Sequence, residues 1–379
     1  MAANAIMAPR RYIFLVLLVF VVLSLHFFLR VSNMDYGALP LKSPFHVSSS
    51  SNLSISSAIG QYKPSPDPDG RRANATFVFL CRNDDLDGVL ASVQSMEDRF
   101  NRKFHYPWVF LNDEPFTEDF QQRVTLMTDS PVSFGLIPQE HWVQPDWIDE
   151  NRARRGRQHL MNQRIIYGGS VPYRNMCRFN SGFFFKHPLL QAYRYYWRVE
   201  PSVRFFCDLD YDPFLYMEEH DKIYSFTIAL EEHRETVKTL WDSVKEFVAE
   251  NPHLVNPENA MDFLSNDGGE QYNMCHSIWT FGAAKPIQNS LNFWTAKGGW
   301  YYERWGDAPV HSIAASLFAR KDQTHFFRDI GYKHDRFGHC PGGAQWTAGR
   351  CACNPNDAFD YSAGSCLNRF EALFGVPIQ

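Results

Sequence analysis

The run Thr76–Cys81 (TFVFLC) is short, apolar and unbroken, and past the polar turn Arg82–Asp85 the apolar positions change spacing to Leu86, Val89, Leu90, Val93 and Met96. A continuous apolar run suits a strand covered on both faces, whereas the later spacing, within Leu86–Phe100, lays one stripe along a helix. The alternation then repeats. Trp108–Leu111 reads as a second strand ending at Asn112-Asp113-Glu114-Pro115, Phe116–Met127 as a helix and Val132–Ile137 as a third strand. This is the rhythm of a doubly wound α/β sheet. Further along, the pattern predicts a helix over Pro188–Trp197, strands at Val203–Cys207 and Ile223–Ile228, and a helix over Thr236–Glu250. That last helix carries Val237, Leu240, Trp241, Val244, Phe247 and Val248 on one face and stops before Pro252. The expected fold is α/β, in one domain with irregular insertions.

With 379 residues, 45% of them hydrophobic and 16% aromatic, the chain has material for a large core. The aromatic excess suits either that core or the stacking faces of carbohydrates. Net charge is −5 and no long basic run follows the first few dozen residues, which excludes nucleic acid as a partner.

The N-terminus sets the compartment. Arg10 and Arg11 precede the apolar run Tyr12–Leu29, which is long enough to span a bilayer with its N-terminus in the cytoplasm. A cleaved signal peptide would have a shorter apolar core and a small-residue cleavage site, which Phe28–Val31 does not offer. The expected layout is a cytoplasmic tail at 1–11, a signal-anchor at 12–29, a Ser/Pro-rich stem at 30–72 and a lumenal domain at 73–379. Asn52-Leu53-Ser54 and Asn74-Ala75-Thr76 are glycosylation sequons in keeping with it. Eight cysteines are then available for disulfides. Cys340, Cys351, Cys353 and Cys366 crowd a Gly/Pro/Asn-rich tail whose spacing fits no common zinc finger, so staples are the stronger reading.

Ligands of open α/β sheets bind beyond the carboxyl ends of the strands. Arg82 and Asn83 follow the first strand, where they could hold a nucleotide or merely cap a helix. Glu200, Asp208, Asp210 and Asp212 offer oxygen ligands for a hard divalent ion on a diphosphate. Cys207-Asp208-Leu209-Asp210 has the two-aspartate pattern of many sugar-nucleotide enzymes, while Glu200-Pro201 is a rival in which proline ends the preceding helix. Glu303, Arg304, Asp307 and His311 lie in one turn-rich segment, and His325 and His334 are candidates to complete a metal site.

Five strings carry a resemblance: RNMCRFNSGFFFKHPLL (Arg174–Leu190), YYWRVEPSVRFFCDLDYDPF (Tyr195–Phe214), YNMCH (Tyr272–His276), YYERWGDAPVHSIAASLF (Tyr301–Phe318) and HFFRDIGYKHDRFGHCP (His325–Pro341). Over Ala73–Arg369 the chain resembles the fungal Golgi α-1,2-mannosyltransferases of the Kre2/Mnt1 type, glycosyltransferase family 15. The resemblance implies a GT-A-like, Rossmann-like mixed sheet flanked by helices, on a single-pass type II Golgi membrane protein. It also implies retaining transfer of mannose from GDP-mannose to mannosylated O- or N-linked glycoproteins, with Mn²⁺ and with other Golgi mannosyltransferases as partners. By position, Glu200 and His334 match the metal ligands, Tyr173 and Asp307 the residues around the sugar, and Arg82, Asn83, Tyr173, Arg178 and Ser181 the nucleotide side. One departure stands out. Where the family carries a glutamate held to be a nucleophile, His276-Ser277-Ile278-Trp279-Thr280-Phe281-Gly282 follows and no acid appears before Glu303. A covalent route needs such a carboxylate. The alternatives are a same-face displacement without an enzyme nucleophile, a mispredicted gene model, or a catalytically impaired lumenal paralogue that binds GDP-mannose or glycans.

Overall fold

The computed structural model describes residues 70–283, 293, 294 and 296–374, all within one compact unit spanning 63–379. The anchor, nearly all of the stem, the Asn52 sequon and most of the stretch after Ala283 that lacks the acid lie outside the described residues. Among the described residues no helix is long and apolar enough to cross a membrane.

A seven-stranded mixed sheet runs through the molecule. Its strands are β1 (Ala75–Leu80), β2 (Trp108–Asn112), β3 (Val132–Leu136), β4 (Tyr195–Val199), β6 (Tyr224–Glu231), β7 (Cys275–Ala283) and β8 (Thr324–Phe326), in the order β3-β2-β1-β4-β7-β6-β8. The first four are mutually parallel; β7 is antiparallel to both β4 and β6, and β8 is parallel to β6. The carboxyl ends of six strands therefore share one edge. A second sheet joins β5 (Arg204–Phe205) to β9 (Tyr332–His334) and β9 to β10 (Phe337–His339), all antiparallel.

Much of the aromatic excess goes into the core. Phe77 on β1 stacks on Trp108 at 4.4 Å and lies 5.5 Å from Trp197 and 5.7 Å from Phe214. Such offset and edge contacts add to the gain from area burial. Helix α1 (Leu86–Met96) buries Val89, Val93 and Met96 against this sheet and runs on into a π-helical turn, Glu97–Asn101. Between β2 and β3 comes α2 (Glu118–Thr125), capped by the Thr117 hydroxyl, which accepts from Phe120 N. Gly88 in α1 is required by close approach: a Cβ there would meet Ser202 Oγ at 2.6 Å and Pro201 Cβ at 3.1 Å. The helix thus presses on the turn that follows Glu200, where Ser202 has φ 65°.

Two expectations need correction. The segment predicted as a helix over Pro188–Trp197 is turns followed by strand β4, whose Tyr195, Tyr196, Trp197 and Val199 are buried between β1 and β7. Leu189, Leu190 and Tyr193 mimic helical spacing, but aromatic and β-branched side chains with strands on both sides favour the sheet. Pro201 accordingly follows a strand and not a helix. The strand expected over Val203–Cys207 keeps only Arg204 and Phe205.

Six cysteines form disulfides, Cys207–Cys351, Cys275–Cys366 and Cys340–Cys353, with sequence separations of 144, 91 and 13. Closing loops of the longer kind stabilises on the order of 2–5 kcal/mol each. Cys81 and Cys177 are buried thiols, so the even count does not mean full pairing.

Candidate active site

Glu200 leaves the carboxyl end of β4, and Arg198 two residues earlier points to the same face of the strand. Arg198 Nε donates to Glu200 Oε1 at 2.9 Å, and its terminal nitrogens reach both Glu200 and Asp307. Asp307 opens helix α5 (Asp307–Phe318) behind Gly306, so the helix N-terminus adds to its stabilisation. The expected turn-rich segment is therefore largely helix. The Arg198 and Asp307 side chains are only 12% and 8% exposed. From the small sheet, His334 closes the cluster: its Nε2 lies 2.7 Å from Glu200 Oε2. The β5–β9 pairing, with Phe205 opposite Tyr332 and Arg204 opposite Lys333, brings residue 334 beside residue 200.

Burial alone would raise the Glu200 carboxyl, but Arg198 and His334 outweigh it and hold that group far below the usual carboxylate range. Burial would likewise lower the His334 imidazole, and the Glu200 carboxylate outweighs it, so the ring titrates above its ordinary value. Once the His334 ring gives up its proton, as ligation of a metal ion would require, two carboxylates (Glu200 and Asp307) face one guanidinium (Arg198), which suits a cation.

Tyr173 sits on helix α3 (Val171–Gly182), which Ser170 caps by accepting from Tyr173 N at 3.1 Å. Its ring lies 4.4 Å from that of Tyr167 on one side and 5.2 Å from the Arg304 guanidinium on the other. Arg304 is 5% exposed, stands 3.6 Å from Glu232, and its Nε is buried without a hydrogen-bond partner among the described residues. A buried unpaired donor beside the expected sugar residues invites a ligand oxygen.

The other candidates fall differently. Asp208 is held by Arg99 at 2.6 Å and Arg350 at 2.7 Å, Asp210 by Lys103, and Asp212 caps helix α4 (Pro213–Glu219) while accepting from Tyr106 Oη. The side-chain partners of these acids are Arg99, Arg350, Lys103 and Tyr106, whereas Glu200 pairs with His334. Asn83 donates to Pro115 O at 3.1 Å and accepts from Thr117 N at 3.0 Å, tying the ends of β1 and β2 together. Arg82 pairs with Asp85 and stays exposed at the same edge. Arg178 donates to the carbonyls of His141 and Val143, and its Nε is buried without a hydrogen-bond partner among the described residues. Ser181 is fully buried and donates to Cys177 O at 2.7 Å, so its hydroxyl serves its own helix. Sequence reasoning gave no role to Arg198; its signal was the i, i+2 relation to Glu200 on a strand.

His311 and His325 stand outside the Glu200–His334 cluster. His311 is 2% exposed, its Nε2 is 2.9 Å from Asn180 O, and burial pushes its pKa down to about 4 against an opposing push from Asp307. Burial also lowers His325 to about 4, amid the rings of Tyr216 and Phe327. The unfolded chain binds protons at these sites that the folded chain refuses, so stability falls as pH drops from about 6.5 towards 4. In His311→Gln the loss of stability between pH 7 and pH 5, read from urea midpoints, shrinks by about 2 kcal/mol.

The sequence profile of the glycolipid 2-alpha-mannosyltransferase family matches residues 41–373. The O-glycoside alpha-1,2-mannosyltransferase omh1 of Schizosaccharomyces pombe is 47% identical over 315 residues, covering 81% of this chain and 80% of its own. Core-mannan synthase A (CmsA/Ktr4) of Aspergillus fumigatus, crystallised in a Mn/GDP form, superposes with TM-score 0.76 at 37% identity over 83% of this chain and 89% of its own. The mannosyltransferase Ktr4p of S. cerevisiae in complex with GDP gives 0.77 at 36% identity over 83% and 85%.

Proposed function

The chain belongs to the glycolipid 2-alpha-mannosyltransferase family and is a mannosyltransferase, and from that premise we propose that it transfers mannose from GDP-mannose to a mannose hydroxyl of O- or N-linked glycans, with retention and α-1,2 linkage. Two sheets meeting at Glu200 and His334, with Arg198 and Asp307 behind them, is the observation that carries this reading. Among the described residues no group of three or more His, Cys, Asp or Glu side chains could cage a metal ion. A two-ligand site fits Mn²⁺ that completes its shell with diphosphate oxygens and water. Glu200 Oε2 and His334 Nε2 would hold the ion, and Arg198 fixes the carboxylate through Oε1 as an outer support. Bound there, the ion would neutralise charge on the departing diphosphate.

Arg82 and Asn83 lie where the nucleotide would enter, and Tyr173 with Arg304 lines the sugar side. The acceptor oxygen bonds the anomeric carbon as the bond to the diphosphate breaks, and the electron pair leaves with GDP. The hydroxyl proton passes to the departing phosphate oxygen on the same face. Asp307 is engaged by Arg198, which argues against its serving as a nucleophile. A Golgi lumenal setting behind an N-terminal anchor agrees with the three disulfides.

Incubated with GDP-mannose, methyl α-mannoside and Mn²⁺, the full chain should form an α-1,2-linked disaccharide, lose that activity in EDTA and regain it with added Mn²⁺. Free mannose formed without acceptor dependence would instead indicate a hydrolase, and no turnover with Mn²⁺ present would overturn the reading.

A further inference from the structure

A cleft of about 710 Å³ opens between the end of β6 with the segment after it, the β9–β10 hairpin and residues 359–364. It borders the metal pair, because Phe337 in its wall is the antiparallel partner of His334. Its inner wall reaches the sugar side as well: Glu232 stands 3.6 Å from Arg304, which covers the Tyr173 ring. The end of β6 shares its edge with the end of β4, since both strands run antiparallel to β7.

The lining is chemically mixed. Phe337 and Phe359 meet edge to face at 4.8 Å, and the Arg336 guanidinium lies 4.9 Å from the Phe337 ring. Glu231 and Glu232 supply acceptors, while Arg234 and Arg336 are exposed and have no ion pair among the described residues. Apolar ring faces beside forked donors and paired acceptors suit a sugar, whose one face is C–H and whose rim is hydroxyl. Carboxylates at least balance the arginines, which disfavours a polyanion. The volume falls in the range of about 300–1,000 Å³ that takes small-molecule ligands, room for a short oligosaccharide and not just one hexose.

We propose that this cleft is the outer acceptor subsite: it holds the neutral mannose residues that follow the reacting one in an oligomannoside, with Phe337 as the specificity-determining platform. The proposal rests on the mannosyltransferase reading above, and its test separates the two. In the full chain, Phe337→Ala should lower kcat/KM for α-mannotriose about tenfold, leave methyl α-mannoside and Mn²⁺/GDP binding unchanged, and recover with Phe337→Tyr. An equal loss on both acceptors, or none on mannotriose, overturns it. If Phe337→Ala unfolds, the exposed Arg336→Ala carries the same comparison. If the wild type transfers to neither acceptor, the functional reading fails, and saturation-transfer NMR with mannotriose decides the cleft. A signal on the sugar protons that the wild type gives and Phe337→Ala does not then supports the subsite, and no signal with the wild type sinks it.

Discussion

Glu200→Gln lowers transfer from GDP-mannose about a thousandfold, equivalent to about 4 kcal/mol of transition-state stabilisation. The substitution keeps size and one carbonyl oxygen, so the hydrogen bond that Arg198 Nε makes to Oε1 at 2.9 Å has an acceptor to return to. What it removes is the charge at Oε2, the atom 2.7 Å from His334 Nε2 and the one a divalent ion would share with that ring. In the wild type this carboxyl is ionised throughout the neutral and mildly acid range, because Arg198 and His334 overcome the opposing effect of burial. The loss should appear both in kcat/KM and as weakened Mn²⁺-dependent GDP binding, measured by calorimetry with and without the metal. Wild-type Mn²⁺ affinity in a folded Glu200→Gln protein would remove Glu200 from the metal site. Asp208→Asn serves as the contrast: that acid is engaged by Arg99 and Arg350 and not by His334, so GDP binding should stay within about a factor of two of wild type.

The parallel half of the sheet was legible because its signals are local. Thr76–Cys81 and Trp108–Leu111 are unbroken apolar runs, and the structure puts β1 and β2 there, buried on both faces. The edge that carries the site followed from where parallel strands end. The pairing of Glu200 with His334 was not legible in the same way: 134 positions separate them, no spacing rule spans that distance, and only the resemblance put them together. The bringing-together depends on β5, β9 and β10, strands of two or three residues that leave no periodic trace. Tyr195–Val199 misled for the opposite reason, since the preceding leucines carry a helical rhythm that pairing with β1 and β7 overrides. Cys81 and Cys177 show the limit of counting: each belongs to a core position before it belongs to a disulfide inventory.

Arg198→Met destabilises the protein by about 3–5 kcal/mol at pH 7.5, because it leaves two neighbouring carboxylates without the cation between them. Methionine fills a similar volume, so the effect is electrostatic and not a cavity. Its dependence on pH gives the sign. In the wild type Glu200 has a folded pKa below its unfolded one, so its contribution is present above the unfolded value near 4.3 and is lost as pH falls further. In Arg198→Met, the upward push of burial on the Glu200 carboxyl is no longer offset by the guanidinium, and a raised acid pKa costs stability most at high pH and least once the group is protonated. The gap between variant and wild type therefore narrows as pH falls from 7.5 to 5, measured by urea unfolding at each pH. An unchanged gap would mean that Arg198 acts through packing. Saturating Mn²⁺ offers the Glu200 carboxylate a replacement cation, so by linkage it should recover part of the loss at pH 7.5. In Arg198→Met/Glu200→Gln, with no charge left at that position to neutralise, Mn²⁺ should recover much less, which ties the rescue to the carboxylate and separates it from general ionic strength.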